Sequence, residues 1–392
     1  MQQRYHCRMF VQFFIIMLLF ITVSDKDSIA SNDSYIPGDD LQVLLEQTVA
    51  DENIPGAILG VKTPTDSWLV AAGKADIAST KSMNADMQVL LASVSKPLTA
   101  VLTMKLIEEE ILSLDDTVEK WLPELIPQGD QMTIKMLLNH SAGISDITED
   151  VSFWQQLLDN PFKEWSNQEI VSRSVPNTPV FSPGTAFSYS NTGYYLLGMV
   201  MEAATGEPLA DLFQQKIAEP AQLTRTKLSR QGALEEPCVN GYTWLFTTEE
   251  VVDIANWNFS WDWTAGAGVS TAEDMLQFSD QLFNGKILQN ETVDLMTSLE
   301  SFAPKSTRGL GIGVVPTDAD GNVFETKLLG HGGSNPGIAT EWYYFPDYGT
   351  TIFVAVNRND TPEGPDGYIP VNGSGTSFDI FYQAWQIVKE HI

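Results

Sequence analysis

Residues 91–110 read LASVSKPLTA VLTMKLIEEE, and they are the most informative stretch of the chain. Apolar residues recur there with helical spacing, namely Leu98, Val101, Leu102, Met104, Leu106 and Ile107. Pro97 falls in the first turns of the pattern, where its missing N–H is tolerated. The stretch therefore predicts a helix that opens at Ser93.

Ser93 and Lys96 form an S-x-x-K motif at the start of this helix. Positions i and i+3 share one helix face, so the Lys96 side chain can lie beside the Ser93 hydroxyl. A serine hydroxyl is a poor nucleophile until a neighbouring base takes its proton, which a buried lysine can do. The Ser93 N–H, unpaired at a helix start, can also face an oxyanion. A plain helix N-terminus with an exposed lysine is the alternative interpretation of the motif.

Two further segments carry candidate site residues. Residues 183–191 read PGTAFSYSN, a turn that leads to Tyr189 and Asn191; on their own these residues would be a half-buried aromatic and a helix cap. Residues 330–334 read GHGGS, where glycines would let a ligand approach a strand backbone closely. On its own this segment is a glycine-rich turn.

In this order and spacing, Ser93/Lys96, Tyr189/Asn191 and His331/Gly333 resemble the three motifs of serine β-lactamases and penicillin-binding DD-peptidases. The branch is that of class C β-lactamases and the D-alanyl-D-alanine carboxypeptidase/esterase group. The likeness extends over nearly the whole chain after the first 30 residues. It includes residues 114–116, 122–123, 137–143, 193–198, 264–268, 309–311 and 331–357.

The resemblance implies a fold and a domain arrangement. The fold is α/β (α+β) and β-lactamase/transpeptidase-like: an antiparallel sheet flanked by helices, plus a mainly helical lobe. Residues 31–115 with 300–392 are expected to form the α/β lobe, and residues 116–299 the helical lobe. The active site is expected in the cleft between them.

The resemblance also implies roles for individual residues. Ser93 is the expected acyl-accepting nucleophile, with Lys96 and Tyr189 sharing general-base and proton-relay work. Asn191 would hold the substrate's amide carbonyl. The expected oxyanion hole consists of the N–H groups of Ser93 and Ser334, next to Gly333. His331 would border the site on an edge strand, and Trp261 is a weaker candidate for a pocket wall.

The third motif departs from the β-lactamase pattern. β-Lactamases usually present K-T-G there, whereas this chain has His331-Gly332-Gly333. Loss of the lysine weakens recognition of a β-lactam or peptide carboxylate and favours carboxypeptidases and esterases of the group. A basic residue that binds a terminal carboxylate in some carboxypeptidases is also missing after Gly313, where Val314-Val315-Pro316 follow. Arg308 is nearby, but nothing in the sequence directs it at the cleft.

Composition excludes several classes of protein. The 392 residues are 43% hydrophobic, which excludes a disordered chain, and two cysteines exclude a disulfide scaffold. With 22 basic and 51 acidic residues the net charge is −29, so nucleic-acid binding would begin from repulsion. His140, His331 and His391 are scattered and Cys238 is the single mature cysteine, which makes a zinc site improbable. We expect neither a metal nor a cofactor.

The N-terminus has the pattern of a signal peptide. Arg4 and Arg8 precede an apolar run from Met9 to Val23, followed by the small-residue site Ser28-Ile29-Ala30. The apolar run is 15 residues long, whereas a membrane-spanning helix needs about 20. We therefore predict a signal peptide of residues 1–30, cleavage after Ala30, an exported protein and no stable membrane anchor; an uncleaved anchor is the alternative.

Periodicity predicts the elements at both ends of the mature chain. A helix is expected over residues 40–51, strands over 57–62, 67–72, 340–345 and 351–356, and a final helix over 377–389. The strands at the two ends are expected to share one sheet. Residues 114–300 are expected to form helices and long loops.

The sequence therefore predicts an exported serine acyl hydrolase that acts through a covalent Ser93 ester on a small-molecule or peptide substrate. D-Alanyl-D-alanine carboxypeptidase-like activity is favoured. The alternatives are a carboxylic-ester hydrolase and a class C-like β-lactamase. An alternative of another class is a non-catalytic protein that binds penicillin or wall fragments.

Overall fold

A computed structural model describes residues 37–175, 179–245, 250–298, 301, 306, 308–315, 324–359 and 374–392. The predicted signal peptide and its cleavage site lie outside the described residues. From Ile36 to Ile392 the chain forms one compact unit. The division into an α/β lobe and a helical lobe stays a prediction.

The strands lie mainly towards the two ends of the described chain. In chain order they are β1 (Gly56–Lys62), β2 (Ser67–Asp76), β3 (Lys81–Ser82), β4 (Val89–Leu90), β5 (Tyr242–Leu245), β6 (Glu250–Asp253), β7 (Val269–Ser270), β8 (Gly313–Val315), β9 (Leu328–Asn335), β10 (Ile338–Phe345) and β11 (Thr350–Val356). Seven of them form one antiparallel sheet in the order β3-β2-β1-β11-β10-β9-β8. The pairing of β1 with β11 confirms that strands from both ends share a sheet.

The helices lie on both faces of this sheet and fill most of the middle of the chain. They are α1 (Pro37–Asp51), α2 (Ser95–Glu108), α3 (Val118–Trp121), α4 (Ile134–Leu138), α5 (Val151–Asp159), α6 (Asn167–Ser174), α7 (Asn191–Thr205), α8 (Leu209–Phe213), α9 (Trp263–Gly266), α10 (Ala272–Phe283), α11 (Asn290–Thr297) and α12 (Ser374–Val388). This antiparallel sheet with flanking helices is the α+β architecture that the resemblance implied.

The structure corrects some predicted boundaries. Residues 92–94 form a 3-10 turn, and the regular helix α2 begins at Ser95 rather than at Ser93. Strand β2 continues past Ala72 to Asp76, where Gly73 with a φ of +83° allows the chain to keep pairing with β1. The glycine-rich motif of residues 330–334 lies inside strand β9, so the segment is the strand expected for His331 and not the turn that it resembles on its own.

Alternate side chains of the central strands enter two different cores. Leu59 and Val354 pack with α1 and α12 on one face, whereas Ile58 and Phe353 pack with α10 on the other. Both β1 and β11 are buried on both faces, which explains their nearly continuous apolar sequences. The core on the α10 face extends into the helices of the middle of the chain.

The short pair β4–β7 connects the segment just before helix α2 to the segment just after helix α9. Val89 pairs with Ser270, and the Leu91 N–H donates to the Gly268 carbonyl at 2.8 Å. From the other side, Thr340 Oγ1 on β10 donates to the Leu91 carbonyl at 2.7 Å. The turn that carries Ser93 is thus fixed between the sheet and residues 264–270.

Within the part of the chain that the structure describes, none of the helices combines the length and apolar character needed to cross a bilayer. A search of the same residues finds no group of three or more His, Cys, Asp or Glu side chains arranged to hold a metal ion.

Candidate active site

Ser93 lies in the 3-10 turn that leads into α2. The residue before it, Ala92, has a φ of +49°, a left-handed conformation that costs a non-glycine residue free energy. Neighbouring bonds hold this conformation: Ser95 Oγ donates to the Ala92 carbonyl at 2.7 Å and accepts the Gly268 N–H at 2.9 Å. Ser93 itself is half-buried, so this rigid turn presents its hydroxyl at an accessible position.

Lys96 is fully buried, and its amine has three hydrogen-bond partners. Nζ lies 3.2 Å from Ser93 Oγ, 2.6 Å from Asn191 Oδ1 and 2.8 Å from the Ala265 carbonyl oxygen. The amide and carbonyl oxygens can only accept hydrogen bonds. The charged form of the amine can donate to all three oxygens, and after the loss of one proton it can keep its bonds to Asn191 and Ala265 while its lone pair faces the Ser93 hydroxyl. The geometry therefore suits proton removal from Ser93.

Asn191 is the first residue of α7 and connects Lys96 to a buried carboxylate. Its Nδ2 lies 2.9 and 3.2 Å from the two oxygens of Asp146, and its backbone N–H donates to the same carboxylate at 3.2 Å. An Nδ2 group has two hydrogens, and at least one of them is directed at Asp146. The expected contact of Asn191 with a substrate carbonyl stays a prediction.

Tyr189 is half-buried beside Lys96. Lys96 Nζ lies 4.9 Å from the centroid of the Tyr189 ring, and the ring stacks on His140 with 4.4 Å between centroids. The Tyr189 hydroxyl forms no hydrogen bond with any residue that the structure describes. It is therefore available to a substrate or to a relayed proton.

His140 supports the Tyr189 segment from beneath. Its Nδ1 accepts the Ser190 N–H at 3.1 Å, and its carbonyl accepts the Ser188 N–H at 3.1 Å. Burial, reinforced by the positive charges of Lys96 and Arg308, holds the pKa of His140 well below its ordinary value. A neutral imidazole therefore packs against Tyr189.

The free edge of β9 lies next to the Ser93 turn. Among the described residues, β8 pairs with β9 only as far as Gly330, so no strand covers residues 331–335 on that side. Backbone N–H groups of a strand point alternately to its two sides, and N–H groups on an open edge can bind an oxyanion. Ser334 is exposed on this stretch.

Gly333 allows β9 to approach the Ser93 turn closely. A Cβ at this position would overlap Thr340 Oγ1 and lie 2.5 Å from the Leu91 carbonyl oxygen. Any larger residue would therefore push the strand away from residues 91–93. Close packing therefore accounts for glycine at this position of the third motif, in addition to its expected role in substrate binding.

His331 is 4% exposed and lies on the same strand. Its Nδ1 is 2.5 Å from the Gly332 carbonyl, which can only accept, so Nδ1 carries the hydrogen. Its Nε2 is buried without a partner among the described residues. Burial, together with the charges of Arg308 and Lys96, holds the pKa of His331 well below its ordinary value. His331 is therefore neutral and does not replace the positive charge of a lysine.

Arg308 brings a positive charge close to Tyr189, a position that the sequence alone did not predict. Its guanidinium carbon lies 6.0 Å from the centroid of the Tyr189 ring. The guanidinium packs over Gly313, where a Cβ would lie 2.9 Å from Nη1. No carboxylate of the described residues forms an ion pair with Arg308. An unpaired guanidinium beside Tyr189 and His331 is suited to an anionic group of a ligand.

Asp262 is a second buried carboxyl group near Lys96. It is 3% exposed, and its Oδ2 accepts a hydrogen bond from Asn335 Nδ2 at 2.9 Å. Burial raises its pKa to about 6, although the charge of Lys96 and the Asn335 bond act in the opposite direction. Asn335 directly follows Ser334, so Asp262 ties the end of β9 to residues 262–266.

Trp261 lies in an aromatic cluster rather than on an open surface. It is 2% exposed and packs against Phe153, Trp154 and Phe259, with ring centroids 5.3, 5.8 and 6.3 Å away. Its Nε1 has no partner among the described residues. Its role as a pocket wall stays a prediction.

The structure brings Ser93, Lys96, Tyr189 and Asn191 together, with His331 beside Tyr189. Sequence reasoning did not identify His140, Asp146, Asp262 or the Ala265 carbonyl as neighbours of these residues. His140 and Ala265 lie in segments 137–143 and 264–268 that carried the resemblance, so a signal was present. Asp146 and Asp262 are two of 51 acidic residues, and nothing in their local sequence distinguished them.

The comparison with family models gives one match. The family described as Beta-lactamase matches residues 41–370, which is most of the chain and includes every residue of the candidate site.

Individual relatives agree with that match. Penicillin-binding protein 4* of Bacillus subtilis (strain 168) is 26% identical over 335 residues, covering 82% of this chain and 72% of the relative. The D-aminopeptidase of Cereibacter sphaeroides is 22% identical over 308 residues, covering 78% of this chain but just over half, 57%, of the relative. The crystal structure of a D-stereospecific amidohydrolase from Streptomyces sp. superposes with a TM-score of 0.72 and 29% identity, covering 82% of this chain and 94% of that one.

Proposed function

The chain belongs to the Beta-lactamase family, and from that membership we propose that it hydrolyses the amide bond that follows a D-amino acid residue, through a covalent ester on Ser93. The observation that supports acyl transfer is the position of the Lys96 amine. It lies 3.2 Å from Ser93 Oγ, and its other two contacts are with oxygens that only accept hydrogen bonds. The relatives whose names specify D-stereochemistry support the substrate class.

In the proposed acylation, Ser93 Oγ attacks the carbonyl carbon while its proton moves to Lys96 Nζ. The N–H groups of Ser93 and Ser334 bind the resulting oxyanion, and each such donor typically contributes about 2.7–4 kcal/mol. The carbon–nitrogen bond then breaks. The proton passes from Lys96, by way of the Tyr189 hydroxyl, to the leaving nitrogen, which departs as a free amine.

In the proposed deacylation, water attacks the Ser93 ester. The water proton moves to the same basic groups and from there to Ser93 Oγ as the ester bond breaks. The products are the carboxylic acid and the free hydroxyl of Ser93. Side chains of this chain supply each proton acceptor and donor, so the proposal includes no cofactor.

We further propose D-alanyl-D-alanine carboxypeptidase-like activity, and Arg308 is the observation that carries it. A carboxypeptidase must hold the terminal carboxylate of the leaving amino acid. The neutral His331 cannot pair with an anion, whereas the guanidinium of Arg308 lies near Tyr189 and has no ion-pair partner among the described residues. A guanidinium binds a carboxylate in a bidentate manner with strong geometric preference.

A second candidate is removal of an N-terminal D-residue or hydrolysis of a D-amino acid amide. The names of the D-aminopeptidase and D-stereospecific amidohydrolase relatives favour it. The two candidates differ in which side of the cleaved bond carries the charge: a carboxylate on the leaving residue in the first, and an ammonium on the acyl residue in the second.

The test is turnover of matched substrates by the purified protein and by Ser93→Ala. The substrates are acetyl-D-Ala-D-Ala, its C-terminal amide, acetyl-L-Ala-L-Ala, D-phenylalanine amide and p-nitrophenyl acetate. We expect Ser93-dependent cleavage of acetyl-D-Ala-D-Ala over its amide and over the L-peptide. Arg308→Gln should reduce kcat/KM for the free acid by about 10- to 100-fold, the range for a lost charged hydrogen bond, with ester turnover unchanged.

Arg173→Gln is the matched control, because it removes the same charge from a guanidinium that pairs with Asp150 at 3.2 Å. Better turnover of D-phenylalanine amide than of the peptide would overturn the carboxypeptidase proposal in favour of the second candidate. Turnover of p-nitrophenyl acetate alone would make the protein an esterase. Absence of Ser93-dependent turnover of every substrate would overturn the proposed function as a whole.

We also propose that the protein is exported, on the basis of Arg4, Arg8 and the apolar run from Met9 to Val23. Expression of the full chain followed by mass measurement of the released protein tests this proposal. A mature N-terminus at Ser31 is the expected result.

A further inference from the structure

Asp146 is nearly buried, with 7% of its surface exposed, yet no step of the proposed reaction uses it. Its carboxylate accepts the backbone N–H of Asn191 at 3.2 Å and the side-chain Nδ2 at 2.9 and 3.2 Å. It also accepts the Thr148 N–H at 3.0 Å. The first residue of α7 is thus held by one carboxylate through both its main chain and its side chain.

The contacts around Asn191 admit one orientation of its amide. Oδ1 accepts from Lys96 Nζ at 2.6 Å, while Nδ2 donates to Asp146. A flipped amide would place its NH₂ group against the Lys96 amine and its oxygen against a carboxylate. The contact with Asp146 would then oppose two acceptors, and Asn191 could no longer accept the hydrogen bond that Lys96 donates. Asp146 therefore determines which atom of Asn191 faces Lys96.

Asp146 is itself held in place independently of Asn191. It caps the 3-10 turn of residues 147–149. The next residue, Ile147, donates its N–H to Thr192 Oγ1 at 3.2 Å, and Ser190 Oγ donates to the Ser145 carbonyl at 3.4 Å. Residues 145–147 and 190–192 are thus connected at three neighbouring positions. The carboxylate also lies at the N-terminus of the 15-residue helix α7, where the helix dipole favours a negative charge.

We propose that Asp146 is the positioning residue of this site: by fixing the amide of Asn191, it directs Asn191 Oδ1 at Lys96 and so points the Lys96 lone pair at Ser93. The proposal rests on the proposed function, because it assigns Asp146 a part in acyl transfer to Ser93. Without Asp146 the Asn191 amide rotates, and Lys96 loses its shortest hydrogen bond.

The first test replaces Asp146 with the isosteric amide and measures acylation by p-nitrophenyl acetate. In Asp146→Asn one acceptor oxygen becomes an NH₂ group. Oδ2 accepts both the backbone N–H and the Nδ2 of Asn191, while Oδ1 accepts the Thr148 N–H, so the new amide must lose either its contacts with Asn191 or the bond to Thr148 that holds residue 146 in its turn. Misplacement of a reacting group by about 1 Å can cost about 10²-fold in rate, and we expect a loss of that order in kcat with little change in KM.

Asp150→Asn is the matched control. Asp150 also caps a helix in the same segment, accepting the Ser152 N–H at 2.8 Å, but it contacts Arg173 rather than Asn191. We expect Asp150→Asn to leave the acylation rate within about threefold of wild type, since it shares no partner with the site. Equal losses in the two variants would reduce Asp146 to a structural cap and overturn the proposal.

An exchange of the two side chains distinguishes positioning from general structural damage. In Asn191→Asp alone, two carboxylates face each other and should repel. Adding Asp146→Asn to it restores the two side-chain contacts: the new amide donates to the outer oxygen of the new carboxylate, and the inner oxygen accepts from Lys96. We therefore expect Asp146→Asn to be harmful in the wild-type background and beneficial in the Asn191→Asp background. Additive losses, with no rescue of Asn191→Asp by Asp146→Asn, would overturn the proposal.

A readout without turnover separates this proposal from the proposed function. The side-chain amide protons of Asn191, observed by NMR in asparagine-labelled protein, should exchange slowly with water in wild type and in Asp150→Asn, and fast in Asp146→Ala. Slow exchange in all three proteins would overturn the positioning role. If wild type shows this protection but no Ser93-dependent turnover, the proposed function fails while the Asp146–Asn191 link stands.

Discussion

The two faces of the seven-stranded sheet are built in different ways. On the face covered by α1 and α12, the core is apolar apart from the buried pair Glu341 and Ser377, and Phe345 stacks on Trp385 at 3.9 Å between ring centroids. On the opposite face the core includes the buried polar groups of the candidate site, among them Lys96, Asp146 and Asp262. One face of the sheet therefore contributes mainly to stability, whereas on the other face the burial of polar groups costs free energy.

The difference has a physical basis in the cost of burying charge. Apolar burial stabilises a fold in proportion to area, whereas each buried ionisable group must be compensated by partners. The Lys96 amine has three partners. We infer that substitutions on the polar face reduce activity more than stability, and that substitutions on the α12 face do the reverse.

The largest expected effect is that of Lys96→Met on the polar face. Loss of the base should reduce Ser93 acylation by about 10⁴-fold, the upper range for general-base catalysis. An apolar side chain of similar length removes a buried amine but leaves the Asn191 and Ala265 oxygens without a donor, so the free energy of unfolding should fall by no more than about 1–3 kcal/mol. Acylation kinetics and thermal unfolding of the same sample measure both quantities. A large loss of stability would contradict the contrast between the two faces.

Trp385→Ala tests the apolar face. Trp385 is 1% exposed between Phe345 and Tyr348, and its truncation should reduce the free energy of unfolding by about 3–5 kcal/mol. The turnover number of the remaining folded protein should be unchanged. Leu69→Ala, at a side chain that is 39% exposed, is the control for urea unfolding. Loss of turnover in folded Trp385→Ala would contradict the expectation that substitutions on the α12 face affect stability rather than activity.

Gly333→Ala should act on the polar face through a displacement of strand β9. The added Cβ would overlap Thr340 Oγ1, so the strand must move away from the Ser93 turn, and a shift of about 1 Å can cost about 10²-fold in rate. Gly375→Ala is the control, because a Cβ there would have no neighbour within 4 Å. Rates for p-nitrophenyl acetate decide the outcome, and equal rates in the two variants would exclude the role of Gly333.

The smallest expected effect concerns Glu341, a carboxyl group buried under α12. Burial raises its pKa to about 8 from an ordinary value of 4.5. Between these two values the folded chain keeps a proton that the unfolded chain has lost, so stability falls as the pH rises. The fall is at most about 1.4 kcal/mol per pH unit and ends above the folded pKa.

The amide in Glu341→Gln does not titrate, so the free energy of unfolding of this variant should not show the fall with rising pH that Glu341 causes. Asp262, with a pKa raised to about 6, contributes a fall of the same sign at lower pH. Urea unfolding should therefore be compared between about pH 6.5 and pH 8. Glu110→Gln, at an exposed position, is the control. Parallel pH profiles for wild type and Glu341→Gln would contradict this assignment.

Local sequence patterns predicted the elements whose residues have a regular period. Strand β11, from Thr350 to Val356, differs by one residue from its predicted start at 351. Strand β2 was predicted too short, because Gly73 and Lys74 interrupt the apolar alternation although the chain stays paired. The 3-10 turn at Ala92–Val94 could not be predicted either, since its conformation depends on bonds to Gly268, distant in sequence.

The same distinction holds for the candidate site. Ser93, Lys96, Tyr189 and Asn191 were found because their spacing forms motifs within short segments. Asp146 could not be found, because its partner Asn191 is 45 residues away and a single aspartate carries no periodic signal. Arg308 could not be placed at Tyr189 for the same reason. Tertiary contacts between residues of ordinary composition were the part that the sequence did not reveal.

A direct test of acyl transfer to Ser93 is intact-mass spectrometry of the protein incubated with benzylpenicillin and quenched in acid at successive times. We expect a penicilloyl adduct on wild type that peptide mapping places on Ser93, and no modification of Ser93→Ala. An equal adduct on Ser93→Ala would overturn acyl transfer to Ser93, and so would the absence of any Ser93-dependent adduct or turnover with penicillin and with the peptide, amide and ester substrates.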